Sequence, residues 1–190
     1  ESHDRVMVLE VMGRHTGWIA ISAGISGGGD IILIPEIPFT YESIVTKIQE
    51  REAQGRNFTL IVAAEGARPQ GGQAVIADAS AKDREVRLGG IGEVVAREVS
   101  RRTGKETRVC VLGHLQRGGG PTSFDRLLCT RFGTRAVDLV AEKKFGYMVA
   151  LRPPQTLAVK IADAIGRLRR VPADGELVRT GRALWLSFGD

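Results

Sequence analysis

Four short apolar runs, each closed by glycine or proline and separated by helically spaced segments, constrain this chain more than any other feature. The runs occupy residues 5–11, 30–36, 58–64 and 108–112. They are rich in β-branched and aliphatic residues without polar alternation, which is typical of strands buried on both faces of a parallel sheet. Because strands alternate with helices, we expect an α/β fold with three α/β/α layers around a mainly parallel sheet.

Capping signals delimit the helices between these strands. Thr40 is a suitable N-cap for the second helix, and Gly55 and Gly104 are suitable stops for the second and third. The connections are expected to be too long for hairpins. We expect a helix from Trp18 that Gly27–Gly29 stop, one from Tyr41 that Gly55 ends, one carrying Ile91, Val94, Val95 and Val99 that Gly104 stops, one over about 123–142 and one over 160–168. We also expect a strand over 147–151 and a variable excursion over 67–88 with a short strand at 74–76.

Composition narrows the classes of protein that remain. No apolar run approaches the roughly 20 residues of a membrane span, and no charged-then-apolar leader opens the chain. The sequence therefore predicts a cytoplasmic protein without a membrane partner. Cys110 and Cys129 are too few for a disulfide framework and lack zinc-ligand spacing, so both are expected to be core thiols.

The net charge of +5 is compatible with nucleic acid or with a small phosphorylated ligand. Lysine and arginine are spread along the chain instead of forming a basic block, and aromatic residues are only 5%. We therefore rank a nucleic-acid-binding domain last and expect no nucleic acid partner.

Residues 109–122 carry the most specific chemical signal. A buried strand stops in a loop that contains His114, Gln116, Arg117 and three consecutive glycines, and a helix follows. Glycines let the backbone approach a ligand, a helix N-terminus favours negative charge, and a guanidinium holds phosphate with two hydrogen bonds. The loop therefore indicates an anion site, the alternative being a tight turn with solvated polar residues.

Two further strand ends carry polar residues. Met12, Gly13 and Arg14 follow the first run, and Glu65 follows the third. In open α/β sheets ligands bind at the carboxyl ends of strands. Arg14 is then either a ligand-binding cation or a surface arginine, and Glu65 either faces a ligand or is a solvated carboxylate.

Three stretches together resemble the 6-phosphofructokinases. They are EVMGR at residues 10–14, AAEG at 63–66 and LGHLQRGGGP at 112–121, the last followed by Asp125 and Arg126; SFGD at 187–190 is similar to the end of that family. The resemblance covers essentially the whole chain but only the later part of such an enzyme. It implies a phosphofructokinase-like fold that is incomplete without an N-terminal half.

The resemblance also implies roles for individual residues. Arg14 would stabilise charge on the transferred phosphoryl group, Glu65 would accept hydrogen bonds from sugar hydroxyls, and Arg5 and Arg108 would reach the substrate of a neighbouring subunit. The residues that would contact fructose 6-phosphate within one chain are Met12, Gly13, Arg14, Glu65, His114, Gln116 and Arg117.

By the same resemblance, the catalytic base and the ligands of Mg²⁺ would precede residue 1, so the fragment alone is expected to be inactive. Residues 12–18 are similar to a mixed-substrate branch that uses ATP or pyrophosphate. Residues 1–115 would bind the sugar phosphate, 116–167 would pack with the missing nucleotide domain, and 168–190 would return to the sugar-phosphate domain. The full-length enzyme would be a homodimer or homotetramer. A non-catalytic sugar-phosphate sensor with the same pocket is the alternative.

Overall fold

The structure is a computed structural model that describes residues 4–73, 76–78, 87–88 and 90–190. They form two compact units. Unit 1 comprises the chain up to Arg117 together with Arg170–Asp190, and unit 2 comprises Gly118–Arg169. The domain limits expected from sequence, residues 115 and 167, and the roles assigned to the segments stay predictions.

Unit 1 is built on a parallel sheet. Its strands are β1 (Arg5–Val11), β2 (Ile31–Leu33), β3 (Thr59–Ala64), β4 (Ile76–Asp78), β5 (Arg87–Leu88) and β6 (Glu106–Val111). Four of them form one sheet in the order β2-β3-β1-β6, with every neighbouring pair parallel, while β4 and β5 pair antiparallel. The prediction of a mainly parallel α/β sheet is confirmed.

Helices cover both faces of the four-stranded sheet. The α-helices of the described residues are α1 (Trp18–Ser26), α2 (Tyr41–Ala53), α3 (Ile91–Thr103), α4 (Ser123–Ala141), α5 (Ile161–Ile165) and α6 (Glu176–Ala183). One buried cluster joins α2 and α3 to alternate strand residues such as Val8 and Ile61. A second joins α1 and α6 to residues of the opposite parity, such as Val62. The period of two along each strand therefore produces three layers.

Local signals explain where these elements begin and end. The Thr40 hydroxyl accepts the backbone N–H of Ser43 at 3.1 Å, as an N-cap should. Gly104 ends α3 in the left-handed region at φ 70°, where a side chain would be strained. Strand β2 is shorter than the expected run 30–36 because Ile34 bridges Ile37, which turns the chain across Pro35.

The C-terminal segment continues the sheet beyond β2. The N–H of Ile32 donates to the Ser187 carbonyl at 2.8 Å, and the Ser187 N–H donates to the Asp30 carbonyl at 3.0 Å. Gly189 accepts the N–H of Thr40 at 2.7 Å. The outer edge of β2 is therefore covered by residues far along the chain.

Unit 2 contains a hairpin that the sequence did not predict. Strands β7 (Tyr147–Arg152) and β8 (Gln155–Lys160) pair antiparallel, and helix α4 packs on both. The expectation that no connection is a hairpin was wrong, because Pro153 and Pro154 form a two-residue turn instead of ending the sheet. The helix expected over 160–168 is reduced to α5, since Lys160 completes β8.

The two cysteines are exposed, so their prediction as core thiols was wrong. Cys110 lies on the edge strand β6, on the side away from Val109, which packs against the α2 and α3 cluster. In unit 2, the helix α4 exposes Phe124, Leu127, Val137 and Val140 together with Cys129. The sequence placed each cysteine on the correct type of element, a strand and a helix, but did not show which face of that element is covered by other residues.

Part of the excursion over 67–88 lies outside the described residues. Of the short strand expected at 74–76, only Ile76 is described, as the first residue of β4. Among the helices of the described chain, none combines the length and apolar character needed to cross a membrane.

Candidate functional site

Three loops meet the carboxyl edge of the four-stranded sheet, where ligands of open α/β sheets bind. Residues 12–17 follow β1, Glu65 and Gly66 follow β3, and a 3-10 helix, Gly113–Arg117, follows β6. Because these strands are parallel neighbours, the structure gathers all seven residues predicted to contact one substrate at this edge: Met12, Gly13, Arg14, Glu65, His114, Gln116 and Arg117.

The loops after β1 and β3 are in direct backbone contact. The N–H of Glu65 donates to the Val11 carbonyl at 2.9 Å, and the N–H of Gly66 donates to the Gly13 carbonyl at 3.1 Å. A Cβ atom on Gly66 would lie 1.9 Å from the carbonyl oxygen of Arg14. The backbone of Arg14 is therefore held against a position that only glycine can occupy.

The loop after β6 is tied to the loop after β1 by a side chain. The Met12 N–H donates to Oε1 of Gln116 at 2.6 Å, and the Leu112 N–H donates to the Glu10 carbonyl at 3.0 Å. Gln116 thus links two of the three loops. His114 and Arg117 are exposed on the same 3-10 helix.

Glu10 is a buried carboxylate that sequence reasoning did not assign. It is 3% exposed and accepts backbone N–H groups from Gly90 at 3.1 Å and Gly92 at 2.8 Å, so it caps α3 from a neighbouring strand. A single carboxylate in an otherwise apolar strand was the available signal, because a buried charge requires donors. Glu10 fixes α3 beside the sheet that presents the loops.

Arg5 and Arg108 lie away from this edge. Arg5 opens β1, whose seven residues span about 20 Å at 3.3 Å each. The Nε and Nη2 atoms of Arg108 each lie 2.7 Å from Oε1 of Glu106, and Nη2 of Arg5 lies 3.7 Å from Oε2 of the same carboxylate. The structure therefore does not bring these arginines together with the other predicted residues, and Glu106 is a partner that the sequence did not indicate.

A separate polar cleft of about 470 Å³ lies at the amino edge of the sheet and shares no residue with the predicted set. Asp30 and Arg51 line it and form a largely buried ion pair at 2.6 Å. Burial raises the pKa of Asp30, against the lowering effects of the Leu60 N–H and of Arg51. The residues predicted from sequence to contact the substrate within one chain lie at the opposite, carboxyl edge of the sheet.

No group of three or more His, Cys, Asp or Glu side chains in residues 4–73, 76–78, 87–88 and 90–190 is arranged to hold a metal ion. The layered parallel sheet and the polar loops at its carboxyl edge define an α/β protein of the kind that binds its ligand in a strand-end crevice.

Comparison with known proteins identifies the family of α/β proteins to which the chain belongs. The family model described as Phosphofructokinase matches residues 1–140, and the chain belongs to the phosphofructokinase family. An ATP-dependent 6-phosphofructokinase of Chloroflexus aggregans is 54% identical over 189 residues, covering 100% of this chain and 51% of the relative. A pyrophosphate–fructose 6-phosphate 1-phosphotransferase of Amycolatopsis methanolica is 52% identical over 176 residues, covering 92% and 51%.

Solved structures agree with this membership. The T-state crystal structure of Pichia pastoris phosphofructokinase is 32% identical with a TM-score of 0.70, covering 87% of this chain and 18% of that one. The chain spans about half the length of the curated relatives it matches.

Proposed function

We propose that this chain is the sugar-phosphate-binding part of a full-length 6-phosphofructokinase. That enzyme transfers a phosphoryl group from ATP or pyrophosphate to fructose 6-phosphate and makes fructose 1,6-bisphosphate in cytoplasmic glycolysis. The observation that carries the proposal is the joining of three polar loops at one sheet edge by the Gly66–Gly13 and Met12–Gln116 hydrogen bonds.

The proposed roles follow from the charge and position of each side chain. Arg117 and His114 are exposed donors on one short helix and suit the non-reacting 6-phosphate. Glu65 is an acceptor at the end of β3 and suits sugar hydroxyls. Arg14 suits the phosphoryl group in flight, because charge stabilisation and positioning dominate phosphoryl transfer.

The donor side of the reaction is proposed to come from outside residues 1–190. The relatives include proteins named for ATP and for pyrophosphate, so both donors stay candidates. We propose that Mg²⁺ and the catalytic base are likewise held elsewhere in the full-length enzyme. Residues 1–190 alone should then bind fructose 6-phosphate weakly and transfer no phosphoryl group. Fructose 1,6-bisphosphate made by this purified chain would contradict that division.

Unit 2 is proposed to pack against the missing part. Its helix α4 exposes Phe124, Leu127, Val137 and Val140 by 61–68%, and among its described apolar residues Leu139 is nearly buried at 4%. Apolar faces of this size usually meet a partner. A homodimer or homotetramer is proposed as well, in which Arg5 and Arg108 reach a neighbour's substrate.

The test uses the full-length enzyme with ATP and pyrophosphate assayed separately. Arg117→Ala should raise the KM for fructose 6-phosphate at least about tenfold with little change in kcat, because a bidentate charged contact is worth about 1.5–3 kcal/mol in ground and transition states alike. Arg14→Ala should lower kcat. Arg101→Ala, which removes a surface partner of Glu98, is the control and should change neither.

Two results would contradict the proposal. An Arg117→Ala enzyme with the wild-type KM would remove the assignment of the 6-phosphate site. Tight binding of fructose 6-phosphate by the full-length protein, without turnover on either donor, would establish the sensor instead.

A further inference from the structure

Glu36 contacts the far end of the loop that carries Arg14. This loop leaves β1 at Met12 and enters helix α1 through Gly17, which occupies the N-cap position and has no side chain with which to cap. Both carboxylate oxygens of Glu36 accept the Gly17 N–H, at 3.2 Å and 3.0 Å. A carboxylate beside a helix N-terminus satisfies an N–H group that would otherwise lack a partner and complements the helix dipole.

The same carboxylate reaches a third segment of unit 1. Its Oε1 atom accepts the N–H of Val171 at 2.9 Å, and Val171 is 3% exposed in the cluster that covers α1. Val171 directly follows Arg170, the residue at which the chain re-enters unit 1. One side chain therefore joins the Arg14 loop, the turn after β2 and the returning chain.

Gly17 has little freedom to move independently of this contact. A Cβ atom there would lie 2.3 Å from Cγ2 of Ile34 and 3.1 Å from Oε2 of Glu36. At the other end of the loop, Gly13 is held by the N–H of Gly66. The loop is thus fixed at both ends, by a backbone bond to β3 at one and by a charged side chain at the other.

We propose that Glu36 is a positioning residue for phosphoryl transfer, holding Gly17 and through it the Arg14 guanidinium against the transferred group. This inference rests on the proposed function, in which Arg14 stabilises that group. Because the oxygens of Glu36 bond to backbone N–H groups, Glu36 is not expected to touch the substrate itself. It acts on the reaction by holding the loop that carries Arg14. Misplacement of a catalytic group by about 1 Å can lower a rate 100-fold, so the hold matters for kcat.

A double-mutant cycle in the full-length enzyme tests the proposal. Glu36→Gln removes the negative charge and replaces one of the two acceptor oxygens by an NH2 group, which can only donate, so the Gly17 N–H keeps at most one uncharged acceptor that it shares with the Val171 N–H. We expect kcat to fall at least about tenfold, with the KM for fructose 6-phosphate changed much less, since the 6-phosphate contact is separate. In an Arg14→Ala background the same substitution should change kcat by less than about twofold, because its target is already gone.

A purely structural role predicts a different pattern. The loss from Glu36→Gln would then multiply with that from Arg14→Ala, and this result would overturn the inference while leaving the proposed function intact. Failure of the wild-type enzyme to use either donor would instead overturn the proposed function. Glu176→Gln, an exposed acidic change in α6, is the matched control and should leave kcat unchanged.

A conservative variant covers loss of folded protein. Should Glu36→Gln not accumulate, Glu36→Asp keeps the charge but withdraws it by one methylene, and the same cycle is run with it. A kcat for Glu36→Asp equal to that of wild type would also overturn the proposal, since the shorter side chain cannot keep all three hydrogen bonds.

Discussion

Replacing Gly66 by alanine should disable the site without altering any side chain that is predicted to bind the substrate. The added Cβ would lie 1.9 Å from the Arg14 carbonyl oxygen, 2.7 Å from its carbonyl carbon and 3.0 Å from the Gly13 oxygen. Contacts below 3.0 Å are essentially never seen for Cβ atoms, so one backbone must move by at least 1.1 Å, the difference between 3.0 and 1.9 Å. Both neighbours are main chain and cannot rotate away.

This displacement sets the expected size of the effect. A shift of about 1 Å in a catalytic group can lower activity 100-fold, which is about 2.7 kcal/mol of transition-state stabilisation. Overpacking in a tight region lowers the free energy of unfolding by about 1–3 kcal/mol. We therefore expect Gly66→Ala in the full-length enzyme to remain folded, with kcat/KM for fructose 6-phosphate lowered by about two orders of magnitude.

The assay is steady-state formation of fructose 1,6-bisphosphate, with urea unfolding of the same preparations. Gly24→Ala is the matched control, because its Cβ would lie 2.6 Å from the flexible end of Ile32 in the core instead of from the Arg14 loop. It should alter stability but leave kcat/KM near wild type. A folded Gly66→Ala enzyme with kcat/KM within about threefold of wild type would refute the argument that the Arg14 backbone must stay in place.

Three further predictions concern the interface, the surface charge and a helix cap. Mixing full-length Arg108→Ala and Arg14→Ala proteins should restore partial activity, because some hybrid sites take both intact residues from different chains; verified hybrids without recovery would contradict this. Hydrogen bonds from Arg101, then Arg102, lower the pKa of Glu98 to about 2, so its contribution to stability should be present above about pH 4.5 and lost towards pH 2. Accordingly, the difference in urea midpoint between wild type and Glu98→Gln should shrink across that window. Thr122→Ala should destabilise α4 by about 1 kcal/mol by removing its capping box, whereas Thr122→Ser should not, as urea unfolding monitored by circular dichroism will show.

The strands and helices of unit 1 were predictable because their signals are local. The β-branched runs, the Thr40 cap and the stop at Gly104 each depend on a few neighbouring residues. The hairpin of unit 2 was missed because Pro153 and Pro154 read as a terminator, and nothing nearby indicates that β8 folds back on β7. Burial of Cys110 was misjudged because it depends on what covers the outer side of an edge strand.

The candidate site divides in the same way. Motif residues at strand ends, such as Arg14 and Glu65, could be placed at one sheet edge because parallel strands carry their carboxyl ends to the same side. The links that hold the loops could not be predicted. Glu36 and Val171 are 135 positions apart, and Met12 and Gln116 are 104 apart, so only the folded chain shows that they meet.

The pairing of β2 with Ser187 can form only late in synthesis of the chain. Ser187 follows Ile31, its bridge partner, by 156 positions, which is 187 minus 31. At about 5–20 residues per second, a ribosome needs roughly 8 to 30 s to make that stretch. Once β3 has been made and has paired with β2, the outer hydrogen-bonding edge of β2 lacks its cover until Ser187 is made, and an open strand edge is a template for pairing with other chains. A chaperone that shields strand edges should therefore improve the yield of native protein most while unit 1 is still being synthesised.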